Sequence, residues 1–290
     1  MVPRSLVQEI GALYSLPEVA LRVNELLDSD QATNEQLEQI IIYDPALTAQ
    51  LLRLVNSAYY GFNRSIETVS RAILVVGHQE LRNLVMAASV TETFKDIPRD
   101  LVDMDTFWFH SITCGSLARL LAAEYRCKDQ ERFFIAGILH SVGKLVFFSK
   151  FPEQSAQILR GKDQGVEAMV AAERRIFGFD YTELGTALLK EWRIPEGMCE
   201  LVAHQLDPFS AAQRAEEACI MHVAAKITDS IKPCVVTTAY DFRDFNPAYH
   251  LEAWQVLGLS EEVVKPLIWN ASSQSMNILG VIKPGSNIVF

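Results

Sequence analysis

Apolar residues recur at three- and four-residue intervals through most of this 290-residue chain, and the period-two alternation of half-buried strands is nearly missing. The pattern predicts an all-α protein. Capping chemistry marks two helix starts. Thr33 with Gln36 forms a capping box ahead of 34–43, and Asp44 places an N-cap before Pro45, whose missing N–H costs nothing at the first helical position. A helix over 45–59 then carries Leu47, Leu51, Leu54 and Val55 on one stripe, with Gln50 and Arg53 turned away and Gly61 as its stop. Further helices are expected at 5–13, 17–29, 79–95, 105–126, 131–150, 153–160, 164–177, 181–192, 196–205, 212–231, 248–257 and 261–275. The polar, Pro-containing stretch 95–105 reads as a junction between helical subdomains. The expected division is therefore 1–98, 99–235 and a C-terminal extension over 236–290, where Pro284-Gly285 makes a strand-like turn.

Composition narrows the partners. With 49% hydrophobic residues the chain can bury a large core. A formal net charge of −10 opposes the polyanionic surfaces of nucleic acids and acidic membranes, so neither is expected as a partner. Cys114, Cys127, Cys199, Cys219 and Cys234 are scattered, with no C-x-x-C pair, and read as thiols of a reducing cytosol rather than a disulfide framework or zinc ribbon. The N-terminus meets Glu9 before any long apolar run. The longest apolar stretch, FFIAGILHSVGKLVFF, is broken by His140 and Lys144 and reads as too short for a membrane span, so a soluble, cytoplasmic protein is expected.

One segment carries candidate chemistry. In residues 137–145, GILHSVGKL, a His is followed by a Ser where an adjacent carboxylate would help seat a divalent cation, and a hydroxyl is a poor, uncharged ligand. The run 44–61, DPALTAQLLRLVNSAYYG, resembles the signature of the HDOD family, a regulatory relative of the HD phosphohydrolases and the HD-GYP cyclic-dinucleotide phosphodiesterases. Asp44, Pro45, Leu51, Leu52, Asn56, Ser57, Tyr59 and Gly61 carry that signature. The resemblance continues through IETVSRAILVVG at 66–77, RNLVMAAS, the 137–145 segment and WRIP at 192–195, and so covers roughly 15–230. It implies an N-terminal helical bundle packed on an HD-like helical subdomain.

The resemblance also assigns positions to a metal site. Its two imidazole ligands fall on His110 and His140, and its carboxylates fall on Ser141 and Ala225. Of the extra His ligands of the HD-GYP relatives, one falls on Tyr181 and an adjacent pair near His204-Gln205. Three imidazoles can bind zinc with a water in the fourth place, but magnesium and manganese prefer oxygen ligands, and Asp229 is expected on a different helix face from Ala225. The metal positions are therefore read as vestigial, with no catalytic residue, metal or cofactor expected. His110, His140, Lys144 and His204 remain candidates for holding a nucleotide or other anionic small ligand. Lys144 reads equally as a phosphate contact or as a snorkelling side chain at the pocket edge. Asn56, Ser57, Tyr59 and Tyr60 read either as fasteners of the loop 61–66 or as ligand contacts. His78 is read as a cap or surface residue, His222 as a satisfied core histidine, and Glu216 and Glu217 as a solvated face. His250 has nothing converging on it in the sequence.

No G-x-S-x-G elbow, Walker sequence or G-x-G-x-x-G fingerprint is present. Two functions from different classes follow. One is a non-catalytic signalling scaffold acting through protein or small-ligand binding. The other is a metal-dependent phosphohydrolase acting on a nucleotide or cyclic dinucleotide through His110, His140 and His204. No receiver or cyclase pattern accompanies the helical region, so input and output are expected to come from other signalling proteins.

Overall fold

The structure is a computed structural model. It describes residues 2–10, 16–29, 32–57, 60–62, 64–94, 96–231 and 251–282, and among these every regular element is helical. The all-α expectation holds. Tyr59, Cys234, His250 and the Pro284-Gly285 turn lie outside the described residues.

The N-terminal part packs α2 (Glu18–Asp28), α3 (Asn34–Ile42) and α4 (Pro45–Val55) around the long α5 (Val69–Thr93), while α1 (Pro3–Ile10) packs against the helix Tyr181–Glu191 of the second part. The capping box forms as the sequence predicts, with Thr33 accepting from the Gln36 backbone N–H and Gln36 from that of Thr33. Asp44 Oδ1 accepts from Ala46 at 3.1 Å and Leu47 at 3.0 Å. The Leu47, Leu51, Leu54 and Val55 stripe is buried, and each such side chain contributes roughly 1.5–3 kcal/mol.

Two boundaries differ from expectation. The α4 helix ends at Val55 rather than 59, where the Asn56 side chain bonds both the Leu52 carbonyl of the last turn and the loop at Ile66. The stretch 69–76, not expected as a helix, forms the first half of α5, with the Thr68 hydroxyl accepting from the Arg71 N–H at its start. Gly77, at φ 80° and ψ 170°, breaks α5 where only glycine is free of strain. Both halves are fastened to α3, through Ser70 to Glu38 at 2.6 Å and His78 to Asn34 at 2.7 Å. His78 is thus a tie between helices rather than a surface residue.

The second part is organised on α6 (Met104–Glu124), buried over most of its circumference as expected of a core helix. It packs on α7 (Glu131–Leu139) and α13 (Ala215–Ser230). The run expected as one helix over 131–150 is two, α7 and α8 (Val142–Lys150), separated at His140–Ser141. By length and composition this run passes the test for a membrane span, contrary to the sequence reading, but 83% of its most apolar window is buried in the protein core. Next come α9 (Pro152–Leu159), α10 (Val166–Phe177), α11 (Tyr181–Glu191) and α12 (Glu196–Ala203). After α13, α14 (Leu251–Val256) leads to α15 (Glu261–Ile282), which packs on α6 and α4.

A continuous buried core runs from α1–α5 into α6–α8, α11 and α12, and takes in Ile278 and Leu279 of α15. A second core joins α6, α7, α13, α14 and α15. Near the WRIP stretch, Trp192 packs on Phe94 and Arg193 pairs with Glu25 of α2 at 2.9 Å, so this corner joins the two parts of the chain.

Candidate functional site

Two close helix contacts build the site. A Cβ on Gly137 would lie 2.3 Å from the Gly115 Cα, so α6 and α7 touch through bare backbone. That contact lies five residues after His110 and three before His140. Likewise a Cβ on Gly143 would lie 2.0 Å from the Tyr181 carbonyl oxygen, so α8 and α11 touch beside Lys144 and Tyr181. An isolated glycine inside a helical pattern costs about 1 kcal/mol and signals close packing. That signal, available at Gly115, Gly137, Gly143 and Gly185, was missed in the sequence reading.

At the α7–α8 break His140 is buried, and its Nδ1–H donates to the Gly137 carbonyl at 2.6 Å. Nε2 is therefore the lone-pair nitrogen of a neutral ring. Burial, then the Lys144 ammonium, lowers the His140 pKa to about 3 against the bond to Gly137. His110 is lowered for the same two reasons, opposed by a hydrogen bond to the Ile231 backbone, and its Nε2 is buried without a partner. The two rings are close enough for His110 to depress His140 further.

Lys144 is the electrostatic centre of the site. Its Nζ sits 4.2 Å from the Tyr181 ring centroid, a cation–π arrangement. Its charge acts on His110, His140, Cys114, Glu173 and Asp229. Glu173, buried on α10, accepts from the Tyr181 N–H at 2.9 Å, and burial pushes its carboxyl up to about 7 despite Lys144. Tyr181 is buried, and its phenol is pushed well up by burial and by the carboxylates of Asp229 and Glu173.

Asp229 corrects the sequence reading. It follows Ala225 by one helical turn and therefore shares its face, and its charge is felt by Tyr181 and Cys114. Solvent reaches its side chain but protein surrounds it, so desolvation raises the carboxyl pKa while Lys144 opposes the rise.

The other candidates divide. His204 ends α12 and bonds Ser210 Oγ at 2.7 Å. Its neighbour Gln205, buried, reaches His140 instead and donates to that residue's carbonyl at 2.8 Å. His222 Nδ1–H donates to the Gln205 carbonyl at 2.7 Å, the satisfied histidine expected. Glu217, expected in a solvated face, is half-buried and paired with Arg132 and Arg214.

The signature residues mostly serve the fold. Asn56 Nδ2 donates to the Ile66 carbonyl and Oδ1 accepts from the Ile66 N–H, both at 2.7 Å, which closes the loop at its two ends. Tyr60 donates to the buried carboxyl of Glu80 on α5. Leu51 is core, Leu52 is partly buried, and Ser57 Oγ is buried with no hydrogen bond.

The donor set does not suit a divalent metal. Ser141 and Ala225 offer a hydroxyl and a methyl group, an ammonium faces both imidazoles, and among the described residues no three His, Cys, Asp or Glu side chains converge as ligands. What the site offers is two neutral imidazoles, each with a lone-pair nitrogen, around one fixed positive charge.

Similar proteins share this frame. A candidate phosphohydrolase from Shewanella amazonensis SB2B superposes with a TM-score of 0.73 at 23% identity, covering 96% of this chain and 97% of that one. An HDOD domain protein of unknown function from Geobacter sulfurreducens gives 0.68 at 22%, covering 97% of each. An uncharacterised protein of Treponema pallidum (strain Nichols) is 27% identical over 198 residues, which is 66% of this chain and 37% of that protein, so the chain spans little more than a third of the relative's length. At these identities the solved structures establish the fold alone. The profile of the HDOD domain matches residues 13–208, well over half of the sequence, and the chain belongs to the HDOD domain family.

Proposed function

We propose that this chain is a non-catalytic regulatory module that works by binding a protein or small ligand rather than by hydrolysing phosphate. The carrying observation is the Lys144 ammonium over the Tyr181 ring, its charge felt by two neutral imidazoles, with Ser141 and Ala225 where the family resemblance places carboxylates. Phosphoryl hydrolysis needs a nucleophilic water made by a metal or a base, together with positive charge on the developing oxyanion. Lys144 supplies charge, but two neutral imidazoles do not gather the ion. The name of the Shewanella relative points to hydrolysis, and that of a Marinobacter aquaeolei relative, a candidate signal transduction protein, points to regulation.

One observation favours the phosphohydrolase reading instead. His110 Nε2 is buried without a partner and is thus open to a ligand. Metal content of protein purified without chelator, measured with phosphodiesterase assays in manganese, iron, zinc and magnesium, separates the two. The binding-module reading expects substoichiometric metal and no turnover above the blank. Stoichiometric metal with hydrolysis lost in His140→Ala overturns it. A thermal-shift series of nucleotides against wild type and Lys144→Ala then tests ligand capture, since a ligand at about a hundred times its Kd stabilises by roughly 2.7 kcal/mol.

A further inference from the structure

Around the α7–α8 break, three atoms that accept hydrogen bonds lack a donor. Oε1 of Gln205 is buried with no hydrogen bond, although the amide nitrogen of the same side chain donates to the His140 carbonyl at 2.8 Å. His110 Nε2 is buried and unbonded in the same way, while the other ring nitrogen holds its proton toward the Ile231 backbone. His140 is 6% exposed and spends its Nδ1–H on Gly137, so its Nε2 lone pair has no donor among the described residues. A ligand that suits these atoms must bring protons.

One donor accompanies them. The Lys144 ammonium rests 4.2 Å from the Tyr181 ring centroid and makes no ion pair or hydrogen bond among the described residues. Its charge is felt by both imidazoles, so a second cation is unwelcome there. It is also felt by the carboxyls of Glu173 and Asp229, which repel added negative charge. A single ammonium in that company suits a monoanion better than a phosphate dianion. His110 and Lys144 are half-buried and Asp229 is exposed, so solvent reaches this cluster.

We propose that the site takes a small hydroxy carboxylate, whose carboxylate pairs with Lys144 and whose neighbouring hydroxyls donate to His110 Nε2 and His140 Nε2. This names the chemistry of the ligand and rests on the binding-module reading above. Carboxylate and phosphate oxygens would meet the imidazoles acceptor to acceptor, whereas a hydroxyl supplies the missing proton. Glycerate, with two adjacent hydroxyls beside one carboxylate, has the required groups in the smallest form.

Isothermal titration calorimetry of the full chain with glycerate, propionate, glycerol and inorganic phosphate, all at one ionic strength, tests the site. Glycerate should bind about tenfold or more tightly than propionate, through two added hydrogen bonds, and more tightly than glycerol or phosphate. His110→Leu should remove most of the advantage of glycerate and leave propionate unchanged. Lys144→Met should weaken both carboxylates about tenfold or more. The comparison of the four ligands on wild type stands even if a variant folds poorly. Equal affinity for glycerate and propionate, tighter binding of phosphate, or no binding of glycerate in the millimolar range overturns the hydroxy-carboxylate site. Metal-dependent phosphodiesterase activity would instead overturn the binding-module reading beneath it.

Discussion

The signature turn and the imidazole site are both clusters of polar groups in apolar surroundings, and they use those groups in opposite ways. At the turn, Asn56 places its amide oxygen and nitrogen on the Ile66 backbone, and Tyr60 bonds Glu80. Those groups are consumed by the fold, Ser57 Oγ excepted. At the site, His110 Nε2 is buried without a partner, and the His140 ring is fixed so that its lone pair faces away from Gly137. Leaving a buried polar atom unsatisfied costs about 1–3 kcal/mol. Each cluster leaves one such atom, and the difference lies in the rest: the turn spends its other polar groups on the fold, while the site keeps two neutral imidazoles near an ammonium.

The largest expected effect tests the scaffold beneath the site. Gly137→Val forces a side chain into the Gly115 backbone, and no rotamer relieves a 2.3 Å contact with a Cα. A loss of about 3 kcal/mol or more in urea unfolding is expected. A loss under about 1 kcal/mol would mean that α6 and α7 separate easily and that the imidazoles are not fixed by this contact.

Asn56→Ala comes next, with an expected cost of about 2 kcal/mol from three lost bonds and an Ile66 backbone left partly unsatisfied. Glu173→Gln follows. In wild type the Glu173 pKa is raised from 4.5 to about 7, so the folded state holds a proton that the unfolded state releases. Stability therefore falls as pH rises from about 4.5 to 7, and the fall is complete above 7. The glutamine variant should match wild type near pH 5 and exceed it by about 2 kcal/mol at pH 8, as read from urea midpoints at the two pH values.

The smallest effect sharpens the comparison most. His110→Leu removes an unpartnered nitrogen together with the bond to the Ile231 backbone and keeps an apolar body, so it should cost no more than about 1 kcal/mol, less than Asn56→Ala. Equal losses for both variants would show that the two clusters are held for the same reason.

The caps at Thr33 and Asp44 and the Leu stripe of α4 were readable because each depends on residues within four positions of one another. The first half of α5 was not, since ILVV at 73–76 suits strand as well as helix and its neighbour α3 decides the outcome. The break at His140–Ser141 was hidden for a similar reason, because apolar residues continue through it without interruption. The site was legible through the resemblance as two retained imidazoles, His110 and His140, with substitutions at Ser141, Tyr181 and Ala225. Its charge balance was not, because Glu173, Asp229 and Lys144 lie on three helices.

The sequence by itself determined the helical character of the described residues, the starts of the capped helices, and Ser and Ala at the two positions where the family resemblance places carboxylates. These follow from side-chain chemistry and from contacts within a turn or two. Tertiary structure decided that Lys144 sits over Tyr181, that Gln205 rather than His204 reaches His140, and that Glu80 and Glu173 are buried far enough to hold protons near neutral pH. The physical reason is range. Desolvation and charge act between helices distant in sequence, and bare glycine contacts bring those helices close enough for them to act.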